Sequence, residues 1–161
     1  MNWQEVCADP LLRDLPYKIE LNEWGQIVMS PASNRHGLLR ALLVETLRRM
    51  RDDGMVITEC SLHTTRGVKV ADVAWLPAEF LSAFGTTTPY PEVPALCVEI
   101  VSPAKTPREM AEKRALYFAQ GAREVWLCDE AGGLTFHAPD GPLPASRLFP
   151  GLHQIESVYL H

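Results

Sequence analysis

A chain of 161 residues with 47% hydrophobic composition is one domain's worth of sequence and can bury a core without disulfide or metal staples. No stretch approaches the roughly 18 to 20 uninterrupted apolar residues of a membrane span, and the opening MNWQEVCADP lacks the basic-then-apolar pattern of a secretory leader, so a cytoplasmic protein with no membrane segment is expected. The net charge of -5 argues against a generic nucleic-acid coat, whose affinity comes from Lys and Arg on phosphates, but leaves room for a local basic cleft.

In chain order, residues 1–32 read as an N-terminal extension with a hairpin, 33–129 as the core and 130–161 as C-terminal strands, all within a single domain. From Ser33 or Asn34, either one a cap, the stretch NRHGLLRALLVETLRRMRDDG carries apolar residues at 39, 42, 43, 47 and 50, a helical period that stops at Gly54. MVITEC (55–60) and VKVADVAWL (68–76) read as two strands of an antiparallel hairpin, joined through Thr64, Thr65, Arg66 and Gly67. The Pro- and Thr-rich GTTTPYPEVP (85–94) reads as a surface loop leading into ALCVEIV (95–101), an apolar β-branched strand closed by Ser102-Pro103.

A second helix follows, with Thr106 as cap, Pro107 at its first position, Glu109 in its first turn, Gly121 as stop and an apolar stripe at 110, 117 and 118. REVWLCD (123–129) and GGLTFHA (132–138) are further strands, and SVYL near the end reads as a last one. The crossover from 95 to 129 implies two parallel strands. The expected class is α/β (α+β): a mixed sheet flanked by helices, in the order helix, three strands, helix, strand.

The four cysteines, at 7, 60, 97 and 128, form no C-x-x-C pair, and three fall in strand-like runs, as free buried thiols do in a reducing compartment. The five histidines, at 36, 63, 137, 153 and 161, show no zinc-ligand spacing. Two basic patches stand out, Arg48-Arg49-Arg51 and Lys105-Arg108-Lys113-Arg114; a charge run of this kind is usually a solvated face.

Two acids are out of place. Glu99 interrupts a run that otherwise reads as a buried strand, and Asp72 takes a mid-strand position that aspartate disfavours. Moving an ionised carboxylate out of water costs several kcal/mol unless a cation, a metal or hydrogen-bond donors offset it. By the period of two, Asp72 shares a face with Val70 and Ala74, and Glu99 with Cys97 and Val101, so on neighbouring strands both carboxylates converge. Convergent carboxylates mean a hard divalent cation, an acid/base pair or separate ion pairs to Arg or Lys. Lys113, two turns into the following helix, can fold its ammonium back toward them. Trp75, Tyr117 and Trp126 read as core rather than as platforms for stacked bases.

The strings VADVAWL, PALCVEIVSPAKTPREMAEKRALYFAQGAREVWLCD and SRLFPGL resemble the Uma-type restriction endonuclease family of the PD-(D/E)XK nuclease superfamily, over a span from about Tyr17 to the last strand. The resemblance implies a restriction endonuclease-like core whose Asp72 and Glu99 hold Mg²⁺ or Mn²⁺ for phosphodiester hydrolysis, with the backbone carbonyl of Ile100 as a third ligand. It also implies that Lys113 positions the attacking water or contacts the phosphate, that DNA is the partner, and that Lys105, Arg108 and Arg114 touch it. Cleavage of a duplex by such a site calls for a homodimer. Three positions depart from the pattern: the superfamily's lysine two residues past the glutamate is Val101, the proline before the aspartate is Ala71, and Glu109 stands where relatives often have aspartate. Glu45 and His36 are additional candidates from the first helix, the histidine reading chiefly as a helix-start residue with local hydrogen bonds, and Glu20 is a weaker one from YKIELNEWG, which also fits an edge hairpin.

Overall fold

The computed structural model describes residues 1–160, so His161 lies outside the described residues. A short helix α1 (Trp3–Ala8) and a 3-10 turn precede a separate two-stranded antiparallel sheet, β1 (Tyr17–Leu21) and β2 (Ile27–Pro31). Then come α2 (Asn34–Met50), β3 (Met55–Thr64), β4 (Gly67–Leu76), α3 (Ala78–Phe84), β5 (Leu96–Ile100), α4 (Pro107–Ala119), β6 (Glu124–Cys128), β7 (Leu134–Ala138) and β8 (Gly141–Leu143). The last six strands form one sheet in sequence order. Within it β5 and β6 are parallel, as the crossover through α4 requires, and every other neighbour is antiparallel.

The sheet is covered on both faces, which is why β5 is buried at all five positions and shows no polar alternation. On one face Val73, Trp75, Val98, Ile100 and Trp126 pack with Leu39, Leu43 and Leu47 of α2. On the other, Ala74, Leu76, Cys97 and Val125 pack with Tyr117 of α4. Ser33 caps α2 by accepting from the His36 N–H, and Thr106 with Glu109 forms a capping box on α4.

Several segments differ from the sequence reading. The loop at 85–94 is not wholly at the surface: Tyr90 exchanges backbone hydrogen bonds with Ser61 and His63 of β3, and Tyr90 and Val93 are buried. SVYL is no strand; Val158–Leu160 is a 3-10 turn that buries only Leu160. Two short helices, α1 and α3, have no long apolar period to announce them, and α1 owes its place to Trp3 and Val6 packing with Leu21, Val68 and Val70.

That small cluster docks the β1–β2 hairpin on β4. Lys69 Nζ donates to the Leu21 carbonyl at 3.3 Å, and Gly67, at φ +88°, brings the tip of the β3–β4 hairpin against the end of β1. A Cβ at position 67 would lie 2.3 Å from Leu21 O and 2.4 Å from Asn22 O. Gly67→Ala is therefore expected to lower the unfolding free energy by about 2 kcal/mol or more in urea titration, through both backbone strain and the backbone clash.

Candidate active site

Asp72 and Glu99 occupy facing positions on β4 and β5, one step beyond the Val73–Val98 pair, and both are almost fully buried. The β3–β4 ladder runs from Met55–Leu76 to Thr58–Val73 and resumes at Cys60–Ala71, skipping Glu59 opposite Asp72. Glu59 adopts φ +53°, a strained value for a side-chain-bearing residue. At this break Asp72 Oδ2 accepts the Ile100 N–H at 2.8 Å, which ties the end of β5 to β4 through a side chain.

The two carboxylates do converge. Lys18 Nζ of β1 lies 3.0 Å from Asp72 Oδ1 and 3.1 Å from Glu99 Oε2. Lys113 Nζ of α4 lies 3.2 Å from Glu99 Oε1 and 2.9 Å from Glu20 Oε2. Tyr117 donates its hydroxyl to Glu99 Oε1 at 2.6 Å, and His36 Nε2 is 3.2 Å from Asp72 Oδ1. Lys105 Nζ donates to the Ile100 carbonyl at 3.3 Å and stands 3.8 Å from Glu99 Oε2. The His36 ring and two lysine ammoniums thus alternate with carboxylates along a chain from His36 through Asp72, Lys18, Glu99 and Lys113 to Glu20.

Several expected residues meet here and several do not. His36 does more than serve the helix start, because its ring reaches Asp72 one turn before Leu39 on the buried stripe of α2. Glu20 belongs to an edge hairpin and to the cluster alike, also accepting the Val70 N–H at 2.7 Å. Glu45 stays outside: it projects from the exposed side of α2 and pairs with Arg49, since 45 is half a turn off the 39-43-47 stripe. Of the basic residues, Lys105 joins the cluster, Arg108 is solvent-facing beside Glu112, and Arg114 takes part in none of these contacts. Arg51 of the other patch pairs with Asp53 and stacks on Trp75, while Trp75, Tyr117 and Trp126 are core.

Sequence reasoning missed Lys18. A lysine in YKIEL carries no signal of its own, since it reaches the carboxylates only through the docking of a separate sheet. Lys113 was more legible, lying at 110-113-117 on the buried stripe of α4.

A cleft of about 590 Å³ opens onto the cluster between β2, the start of α2 and the segment after β5, lined by Lys18, Arg35, His36, Ile100 and Lys105 among others. That volume suits a nucleotide-sized group. A smaller opening reaches Lys18, His36 and Asp72 from the other side, past Tyr17 and Arg40.

A family model, described as Uma2, "Putative restriction endonuclease", matches residues 9–156. The chain belongs to the Uma2 family. Among solved structures it is similar to a "putative nuclease belonging to DUF820" from Anabaena variabilis, with 15% sequence identity, a TM-score of 0.66, and coverage of 85% of this chain and 86% of that one. At that identity the likeness establishes a shared fold, the restriction endonuclease-like sheet and helices. No curated protein matches.

In this Uma2-family chain no helix is long and apolar enough to cross a membrane, among the described residues. Also among the described residues, no three His, Cys, Asp or Glu side chains are grouped to hold a metal ion; the acid oxygens that converge are those of two carboxylates, on Lys18, with the Ile100 carbonyl facing the nearby Lys105. Asp72 Oδ1, Glu99 Oε2 and Ile100 O each face an ammonium, an all-oxygen set of the hard kind that Mg²⁺ and Mn²⁺ take.

Burial alone would push the Asp72 carboxyl up, but Lys18, the His36 hydrogen bond and Lys105 outweigh it and hold the group well below the usual aspartate range. Burial and then Lys113 and Lys18 act in the same opposed way on Glu20, with a net lowering. For Lys18, burial works to lower the pKa, and Glu99 and Asp72 raise it further than burial lowers it. Lys105 shifts down, chiefly through burial, with Lys18 and Lys113 adding repulsion.

Because Asp72 and Glu20 bind protons less tightly folded than unfolded, their stabilisation is fully present above the unfolded carboxyl values near 4 and is lost as pH falls from there toward the folded pKa. Unfolding free energy is expected to decline below about pH 4 in the native protein, and Asp72→Asn should flatten part of that acid limb. Urea unfolding between pH 2 and pH 7 checks this; parallel limbs in the two proteins would contradict the cluster's electrostatics.

Proposed function

We propose that the protein is a metal-dependent nuclease with DNA as its substrate, in which Asp72, Glu99 and the Ile100 carbonyl hold Mg²⁺ or Mn²⁺. The observation that carries this reading is the approach of Asp72 Oδ1 and Glu99 Oε2 to one point, 3.0 and 3.1 Å from a shared cation, Lys18, which lines a cleft. The family's description and the fold of the Anabaena protein support it. Asp72, Glu99 and the Ile100 carbonyl would hold such an ion, which would supply a more acidic bound water and a positive charge against the phosphorane-like transition state.

The chain's own groups orient and balance that site. The Ile100 N–H and His36 fix Asp72, while Tyr117 and Lys113 fix Glu99. Lys18, Arg35, His36 and Lys105 line the cleft, which gives a polyanion a basic approach in spite of the net charge of -5. Cutting both strands of a duplex takes two such sites, so a homodimer belongs to the reading. Four free cysteines, three of them buried, support a reducing, cytoplasmic setting.

A second reading, a nucleic-acid- or protein-binding module without catalysis on the same fold, is favoured by the charge balance. Asp72, Glu99 and Glu20 already have lysine ammoniums from residues 18, 105 and 113 within 4 Å.

Supercoiled, linear and single-stranded DNA incubated with purified protein and Mg²⁺ or Mn²⁺ separates the two. Metal-dependent cleavage is expected, and Glu99→Gln and Asp72→Asn are each expected to lower it by at least about 100-fold. Equal activity in native protein and variants would mean a contaminant, and none in any of them would favour the module.

A further inference from the structure

The superfamily's in-strand lysine is replaced here by Val101, and Lys113 is the residue that the sequence pattern offers in its place. The oxygens of the two acids divide differently. Glu99 Oε1 is occupied by the Tyr117 hydroxyl at 2.6 Å and by Lys113 at 3.2 Å, and Tyr117 is fully buried. Asp72 Oδ2 is occupied by the Ile100 N–H. What remains for a ligand is Asp72 Oδ1 with Glu99 Oε2; Lys18 touches both, and the His36 ring also reaches Asp72 Oδ1 at 3.2 Å.

Lys113 is also committed on its far side, where Glu20 holds it at 2.9 Å and is itself held by the Val70 N–H. Lys18 lines both the large cleft and the smaller opening that reaches Asp72, whereas Lys113 lines neither and instead borders a separate cleft with Glu20 and Lys69. Lys105 faces the same oxygen of Glu99 from 3.8 Å, but its nearer partner is the Ile100 carbonyl.

We propose that Lys18 of the β1–β2 hairpin is the lysine that meets the substrate phosphate, and that Lys113 is a positioning residue that holds Glu99 and Glu20. This rests on the nuclease reading. It makes the N-terminal hairpin a part of the active site: a chain lacking residues before α2 retains Asp72 and Glu99 but loses the ammonium that bridges their free oxygens, leaving Lys105 3.8 Å from Glu99 Oε2. It also separates the two lysines by what each does to a metal ion at those oxygens, since Lys18 competes for them directly and Lys113 does not.

Two measurements test it. In Mn²⁺ titrations followed by the paramagnetic resonance of the free ion, Lys18→Met is expected to tighten binding at least about tenfold, because the competing ammonium is gone. Lys113→Met is expected to leave the affinity within about threefold while lowering the melting temperature, because two buried carboxylates lose their partner. In a Cys7→Ser background, Lys18→Cys is expected to lose DNA cleavage and to regain at least about tenfold on alkylation with 2-bromoethylamine, which restores an ammonium at that place. Cys60, Cys97 and Cys128 are buried from the reagent.

Unchanged Mn²⁺ affinity in Lys18→Met, or no recovery on alkylation in a protein whose Lys18 form cleaves DNA, would overturn the assignment and leave the nuclease reading standing. Native protein that neither binds Mn²⁺ nor cleaves, beside a Lys18→Met variant that does bind, would remove the nuclease reading and retain Lys18 as the cation on the free oxygens. Absence of Mn²⁺ binding in both would remove the two together.

Discussion

The Glu99 carboxylate sits 1% exposed in the central strand of a sheet covered on both faces, and its burial governs much of what surrounds it. A lone charge there costs several kcal/mol, so each oxygen has its own partners: Tyr117 and Lys113 on one, Lys18 and Lys105 on the other. Supplying these partners draws in three parts of the chain, the β1–β2 hairpin, the segment after β5 and the helix α4. Losing one partner from a network of this kind leaves an uncompensated buried charge, at a cost of about 3 to 5 kcal/mol. The same arrangement that makes the acid tolerable in the fold leaves one oxygen of Glu99 and one of Asp72 side by side.

Glu124 shows the alternative way to bury an acid. It is 2% exposed and, among the described residues, forms no ion pair; Trp126 Nε1, the Ser146 hydroxyl and the N–H groups of Arg147 and Leu148 all donate to it at 2.7 to 3.1 Å. The E-x-W and S-R-L-F segments of the sequence are thereby one structural unit, in which β6 pins the C-terminal loop and seats Phe149 against Trp75 and Trp126. Asp129, at the end of the same motif, accepts the N–H groups of Ala131 and Gly133 to shape the β6–β7 turn. Fixed neutral donors suit an acid with a structural task. Lysine ammoniums, whose partners a ligand can exchange, answer the acids of the cluster instead.

Much of the frame was legible because local chemistry decided it. The caps at Ser33 and Thr106, the 39-43-47 stripe, the hairpin around Gly67 and the parallel pair enclosing α4 each follow from spacing that any neighbouring structure would have to accommodate. Asp72 and Glu99 were legible as anomalies, polar groups where the pattern calls for apolar ones. The strand order then brought them face to face, as the pairing of β4 with β5 allows.

The sequence by itself determined the elements of the core sheet, the two anomalous acids and, through its match to a family, the class of fold. Only the tertiary structure decided which cations answer those acids. Lys18 and Glu20 lie 54 and 79 residues from Asp72 and Glu99, on a sheet that touches β4 through Leu21, Val68 and Val70 and not through any backbone ladder. Pairing of that kind depends on how two surfaces dock, a long-range contact that neither periodicity nor spacing encodes, whereas strand and helix periods are properties of consecutive residues. For the same reason Tyr90 and Val93 turned out buried in what reads as a loop, and SVYL closed as a 3-10 turn that buries only Leu160.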